Sequence, residues 1–157
     1  MKKIITICTG NICRSPMAEV VLKKHLQDKN MKHIEVSSAA ITSGEIGNPV
    51  YHMANDILLK NGYNYNLWKN HKAKKVTLQD LHAADLILPM TREHYDFLVK
   101  MLNGDDSKIF MYRWFEAQQE SHTALDLEDP WYGGMKEFEI ALAQIEASKE
   151  EIIAFLN

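Results

Sequence analysis

Cysteine is nearly absent from this chain: 157 residues hold two, Cys8 and Cys13, five positions apart. Two thiols in one loop are no disulfide framework of the kind that staples small secreted domains. Both are expected free, and a reducing cytoplasm is the compartment such a chain suits. Excess charge is also missing: 18 Lys and Arg stand against 21 Asp and Glu, a net −3. That balance gives no electrostatic ground for binding nucleic acid or an anionic membrane. No apolar run approaches the roughly 20 residues of a membrane helix. Met1-Lys2-Lys3 opens like a signal peptide, but Asn11 and Arg14 interrupt the apolar stretch too early for one. Repeats, low-complexity segments and linkers are lacking too. The histidines His25, His33, His52, His82, His94 and His122 show no metal-ligand spacing and receive no role. What remains is 46% apolar and 25% charged, the balance of an ordinary globular protein, with length for one domain over 1–157 and a full core.

Strand and helix signals alternate along that length. Lys3-Ile4-Ile5-Thr6-Ile7 is a β-branched run, the composition of a buried strand. Ile34-Glu35-Val36-Ser37, Asp85–Leu88 and Lys108–Tyr112 read as three more strands. Helical stretches start at Met17 and Met53, the second closed by Asn61-Gly62. Thr77, with Asp80 three residues on, and Thr91 are candidate helix caps. Met135–Leu156 is a long amphipathic pattern with Phe138, Ala141, Leu142, Ile145, Ile152 and Phe155 near one stripe. Alternating βα units predict an α/β fold: one doubly wound parallel sheet of four strands with flanking helices. Ligands in such sheets bind beyond the carboxyl ends of the strands.

Cys8 stands at that end of the first strand. It opens Cys8-Thr9-Gly10-Asn11-Ile12-Cys13-Arg14-Ser15-Pro16, with helix formers following. Ser15 suits an N-cap and Pro16 a first helical position. A tight loop running into a helix N-terminus converges backbone N–H groups on its centre, and the helix dipole adds positive potential. Arg14 at its far end supplies a planar fork for phosphate oxygens. Cysteines at helix N-termini beside cations are commonly thiolates at neutral pH, the form that attacks phosphorus. A cysteine and an arginine six positions apart are common on their own; the strand, Gly10 and the Ser15-Pro16 pair are what turn the stretch into a phosphate-binding loop.

With Met17-Ala18-Glu19 behind it, this loop resembles that of the low-molecular-weight protein tyrosine phosphatases, whose pattern is Cys-x5-Arg-Ser-Pro. The resemblance runs along nearly the whole chain. It includes Ser38-Ala39-Ala40, Glu45-Ile46-Gly47-Asn48-Pro49, His71-Lys72-Ala73-Lys74-Lys75-Val76, Ala84–Leu88 and Asp129-Pro130-Trp131-Tyr132-Gly133. It implies phosphotyrosine hydrolysis through a phosphocysteine, without cofactor or metal, since arginine and backbone dipoles supply the positive charge. Cys8 would be the nucleophile, Arg14 and the loop residues Thr9, Gly10, Asn11, Ile12, Cys13 and Ser15 the phosphoryl cradle, and Asp129 the general acid. Spacing alone leaves Asp129 equally readable as an Asp-Pro turn before the last helix. Trp131 and Tyr132 would wall the pocket. Asn11 would brace the strained loop by side-chain hydrogen bonds. Ser15 would donate to the Cys8 sulfur, or serve only as the cap. Cys13 would be an apolar filler, or a partner closing a reversible disulfide with Cys8. Partners implied are a phosphotyrosine-containing protein and inorganic phosphate or another oxyanion in the site, with no nucleic acid or membrane, on a monomer or weak dimer.

The chain departs from that pattern at three places. Gly44 stands where members usually carry an aromatic, leaving one wall of the pocket missing or supplied by another residue such as Tyr51. Thr91 replaces the usual Asp and Lys74 the usual Arg. The basic cluster His71, Lys72, Lys74, Lys75 reads as a solvated face, or as an attractor of acidic phosphoprotein segments. Three other functions compete. Thiol-dependent arsenate reduction needs further cysteines near mid-chain, which are lacking. A non-catalytic phosphate-binding module has no use for the full set Cys8, Arg14 and Asp129. Protein-arginine phosphatases of bacteria resemble this chain through Cys-Thr-Gly-Asn but carry threonine next, where Ile12 stands. An isoleucine cannot hydrogen-bond a guanidinium and suits the face of a phenyl ring.

Overall fold

A computed structural model of the chain describes residues 1–117 and 125–157; His122 lies outside the described residues. Strand β1 (Lys2–Cys8) occupies the centre of a parallel sheet between β2 (Ile34–Ala40) and β3 (Leu86–Pro89). Alternation along β1 assigns its side chains to two layers. Ile4 and Cys8 face a cluster with Met17, Val21, Ile57, Phe138 and Leu142. Ile5 and Ile7 face another with Leu81, Tyr95 and Leu98. The first layer is built by α1 (Arg14–Asp28), α2 (His52–Lys60) and α6 (Met135–Leu156). The second is built by α3 (Leu78–Ala83) and α4 (Arg92–Met101). A short α5 (Trp114–Ala117) closes the described part of the segment after the sheet.

The fourth strand is reduced to an edge contact. Lys108–Tyr112 runs parallel to β3 but forms one bridge, Ile87 to Ile109. Three backbone bonds fasten it: Ile87 N–H to the Lys108 carbonyl, Phe110 N–H to that of Ile87, and Tyr112 N–H to that of Pro89. Pro89 has no N–H of its own, and the chain turns into α5 directly after. The sheet is therefore three strands plus a tether.

Both predicted threonine caps form. Thr77 Oγ1 accepts from Asp80 N–H while Asp80 accepts from Thr77 N–H. Thr91 does the same with His94, whose ring Nδ1 takes the Thr91 N–H. The last helix spans the predicted residues, burying Phe138, Leu142, Ile145 and Ile152. Each such side chain contributes roughly 1.5–3 kcal/mol by leaving water. Phe155 departs from the predicted stripe: it is 49% exposed and packs edge-on against Phe110 and Phe115.

Candidate active site

The loop after β1 differs from expectation at its cap. Helix α1 starts at Arg14, its N-cap is Cys13, and no side chain caps it. Ser15 and Pro16 sit inside the first turn. The Ser15 hydroxyl is turned into the loop, where it lies 2.9 Å from Cys8 Sγ. Of the two roles open to Ser15, the structure takes the one facing sulfur.

Asn11 explains why. Its backbone is left-handed, φ 61°, a conformation Asn adopts more readily than most residues. Its side chain holds that shape with every polar atom engaged. Nδ2 donates to Ser15 Oγ (2.8 Å) and to Ser38 Oγ (2.9 Å), and Oδ1 accepts the Lys74 N–H (3.1 Å). Because Ser15 Oγ accepts from Asn11, its own hydrogen is left for Cys8 Sγ. Ser38 in turn donates to Glu19 Oε1 at 2.6 Å, and Lys23 pairs with Glu19. Donation thereby runs outward from the Asn11 amide, through Ser38 to the Glu19 carboxylate and through Ser15 to the sulfur. Asn11 N–H adds a second donor to Cys8 Sγ at 3.3 Å.

A cavity of about 220 Å³ opens over the sulfur, lined by Cys8, Thr9, Gly10, Ile12, Cys13, Arg14, Asp129, Trp131 and Tyr132, with Thr42, Gly44 and Glu45 completing its rim. Nine of the eleven predicted site residues thus share one space; Asn11 and Ser15 are buried behind it. Gly10 admits Glu45 close by: a Cβ there would stand 3.2 Å from Glu45 Cγ. Burial, with Cys8 and Asp129 nearby, pushes the Cys13 thiol pKa far up, so it stays protonated. Both cysteines are free.

Asp129 reaches the cavity from a separate segment. It caps the 3-10 turn Pro130–Tyr132, Oδ1 accepting the Trp131 N–H at 3.0 Å. Its other oxygen lies 3.5 Å from Arg14 Nη2. Turn former and cavity carboxylate are therefore one and the same residue. Leu127 anchors the segment on both sides: its N–H donates to Met90 O at 2.8 Å, and its carbonyl accepts from Arg14 Nη1 at 3.0 Å. Asp126 is turned away, accepting the Arg92 N–H at 2.7 Å.

The pocket mouth is lopsided. Trp131 packs against Tyr51 with the rings tilted by 44° and their centroids 4.4 Å apart, and Tyr132 is 88% exposed. Tyr51 thus braces Trp131 rather than replacing the wall missing at Gly44, where a Cβ would meet nothing within 4 Å. The altered positions Lys74 and Thr91 go to different partners: Lys74 Nζ lies 3.5 Å from Asp80, and Thr91 caps α4.

Two histidines were missed by sequence reasoning. His71, grouped there with a solvated face, is half-buried and lies with Nε2 2.8 Å from the Asn11 carbonyl. His94 is 1% exposed, with Nε2 2.9 Å from Thr9 Oγ1. The one available signal for His94 was its spacing, three residues after the Thr91 cap. Burial, with Arg14 adding to it, lowers its pKa to about 3. Its unfolded value is near 6.5, so between these values the unfolded chain binds a proton that the fold refuses. Stability is full above pH 6.5 and falls as pH drops toward 3, by up to about 1.4 kcal/mol per pH unit from this group. Urea denaturation of His94→Gln at pH 7 and pH 4.5 should show a smaller acid loss than the parent. An equal loss would mean that the ring is protonated in the fold.

The sequence and the fold have counterparts. The family model for low molecular weight phosphotyrosine protein phosphatase matches residues 3–157. A low molecular weight protein-tyrosine phosphatase A of Mycobacterium tuberculosis is 35% identical over 143 residues, 90% of this chain and 83% of that protein. The crystal structure of a protein tyrosine phosphatase from Entamoeba histolytica superposes with a TM-score of 0.86 at 27% identity, covering 99% of this chain and 97% of the other. An arginine phosphatase from Geobacillus stearothermophilus superposes at 0.81 with 25% identity, covering 99% and 93%. With a family match from Lys3 to the last residue and a relative 35% identical over nine-tenths of the chain, this protein belongs to the low molecular weight phosphotyrosine protein phosphatases.

Proposed function

We propose that the protein hydrolyses phosphotyrosine in proteins, and small aryl phosphates, through a phosphocysteine at Cys8. The observation that carries this reading is the convergence of Cys8 Sγ, the Arg14 guanidinium and the Asp129 carboxylate on one cavity. Arg14 and the loop N–H groups hold the phosphoryl oxygens, where fixed dipoles stabilise developing charge. The Cys8 thiolate attacks phosphorus; the S–P bond forms as the P–O bond to the phenol breaks. Asp129 gives its proton to the departing oxygen. A water then attacks phosphorus, Asp129 takes a proton from it, and the S–P bond breaks to release phosphate and the thiolate. The Ser15 hydroxyl, 2.9 Å from sulfur, eases that departure. The protonated Cys13 thiol supports the filler role while the nucleophile is reduced.

The proposed setting is a reducing cytoplasm, with the protein a monomer or weak dimer; no helix among the described residues is long and apolar enough to cross a membrane. Phosphate and vanadate should inhibit competitively. Turnover of a chromogenic aryl phosphate tests the reaction itself, and its absence with folded protein would leave only a phosphate-binding module.

Ile12 bears on the choice of substrate. Its side chain lines the cavity and is 8% exposed, presenting hydrocarbon where a guanidinium would need a polar partner. Each unpaired polar contact in such a site costs roughly 1–3 kcal/mol, enough for ten- to hundredfold discrimination. Trp131 favours the same choice, since Tyr51 holds its ring at the mouth. The protein should show higher kcat/KM on phosphotyrosine peptides than on matched phosphoarginine or phosphoserine peptides, and Ile12→Thr should shift the ratio toward phosphoarginine. A parent that prefers phosphoarginine would give that second reading, which the open side at Gly44 favours, and would leave the catalytic assignments standing.

A further inference from the structure

His94 is buried outright, and the reaction as described gives it nothing to do. Its two ring nitrogens are nonetheless both spoken for. Nδ1 accepts the Thr91 N–H at 3.2 Å, so the single ring proton of the neutral imidazole sits on Nε2. Nε2–H therefore donates to Thr9 Oγ1 at 2.9 Å. The same oxygen receives Arg14 Nη2–H at 3.4 Å. A hydroxyl has two lone pairs and one hydrogen. With both lone pairs occupied, the Thr9 hydrogen is left to donate, and Thr9 lines the cavity beside Cys8 and Arg14.

We propose that His94 is a positioning residue for oxyanion binding: through the Thr9 hydroxyl it fixes the Arg14 guanidinium and frees the Thr9 hydrogen to donate to the phosphoryl group. The proposal rests on the reading of this cavity as the phosphoryl site. A helix cap alone would be served by Glu at this position of a capping box. Linking α4 to Thr9 requires a group that accepts at the cap and donates beyond it, which a neutral imidazole does and a carboxylate does not. Arg14 is then held from three sides, by the Leu127 carbonyl, by Thr9 and by Asp129, and α4 is tied to the bottom of the loop.

The test measures the inhibition constant of inorganic phosphate, KM and kcat on an aryl phosphate, and the melting temperature. The proteins are the parent, His94→Leu, His94→Gln, Thr9→Val and the double variant His94→Leu/Thr9→Val. The two single losses should each raise the phosphate inhibition constant about tenfold, with KM rising alongside. The double variant should stay near the same tenfold, because both changes cut one chain of hydrogen bonds. His94→Gln keeps a donor at similar reach and should recover most of the affinity. A role confined to capping would lower the melting temperature and leave phosphate affinity at the parent value, which overturns the proposal; so would an additive, hundredfold double variant. Should His94→Leu not fold, Thr9→Val decides alone, since it is near-isosteric and an unchanged inhibition constant there has no other reading. A parent that phosphate does not inhibit overturns the cavity's assignment and this proposal with it. An inhibited parent with unaffected variants overturns this proposal alone.

Discussion

Cys8→Ser should abolish turnover of aryl phosphates, by at least about a thousandfold, while phosphate still binds. A serine hydroxyl holds its proton too tightly to become the nucleophile, and nothing in the loop is placed to take it. Ser15, the nearest group, spends its own hydrogen on the sulfur, since its oxygen already accepts from Asn11. The donors that hold the oxyanion lie elsewhere: Arg14 is fixed by the Leu127 carbonyl and does not depend on the sulfur. Binding and chemistry should therefore separate in this variant. Phosphate titration by calorimetry should return an affinity within a few-fold of the parent. Residual turnover above a few per cent of the parent would remove Cys8 from the role of nucleophile.

Much of this site was legible before any coordinates because its signals are local. A β-branched run, a short loop and a helix-forming stretch place Cys8 and Arg14 six positions apart, so no long-range contact has to be guessed. Asp129 was legible only through the family resemblance that its Pro and aromatic neighbours carry; spacing alone fitted a plain turn equally well. In the structure the carboxylate caps the turn with one oxygen and meets Arg14 with the other, so the turn and a place in the cavity do not compete. Parts that depend on distant segments were not legible. The Ser15 cap failed because Asn11, itself held by Ser38 of β2, draws the hydroxyl inward. The fourth strand fell short because β3 ends on a proline. His71 carries no periodic or spacing signal of its own, and His94 only its place three residues after the Thr91 cap. Their partners, the Asn11 carbonyl and Thr9, lie 60 and 85 positions away. Tyr51, the residue offered for the wall missing at Gly44, lies in the right neighbourhood but braces Trp131 instead of closing the open side.

Asp129→Ala should lower kcat on ordinary aryl phosphates by roughly 10²–10⁴ with little change in KM, because the acid acts chiefly in the transition state. The geometry separates this carboxylate from its chain neighbours, and from Glu45 across the cavity, which accepts from Asn48 while Asp129 faces Arg14. Asp126 is spent on the Arg92 N–H at the start of α4, where it anchors the segment. Glu128 does not line the cavity, whereas Asp129 does, beside Cys8 and Arg14. Loss of a proton donor has a signature that loss of structure lacks: its size depends on the leaving group. A phenol acidic enough to depart as the anion needs no proton, so the deficit should shrink steadily as leaving-group acidity rises. A series of substituted phenyl phosphates, assayed for kcat in parent and variant, gives the two slopes. The variant should be the steeper of the two, converging on the parent at the most acidic leaving group. Parallel slopes would mean that Asp129 only shapes the turn and aligns Arg14. A larger, leaving-group-dependent defect in Asp126→Ala or Glu128→Ala would transfer the role of acid to that residue.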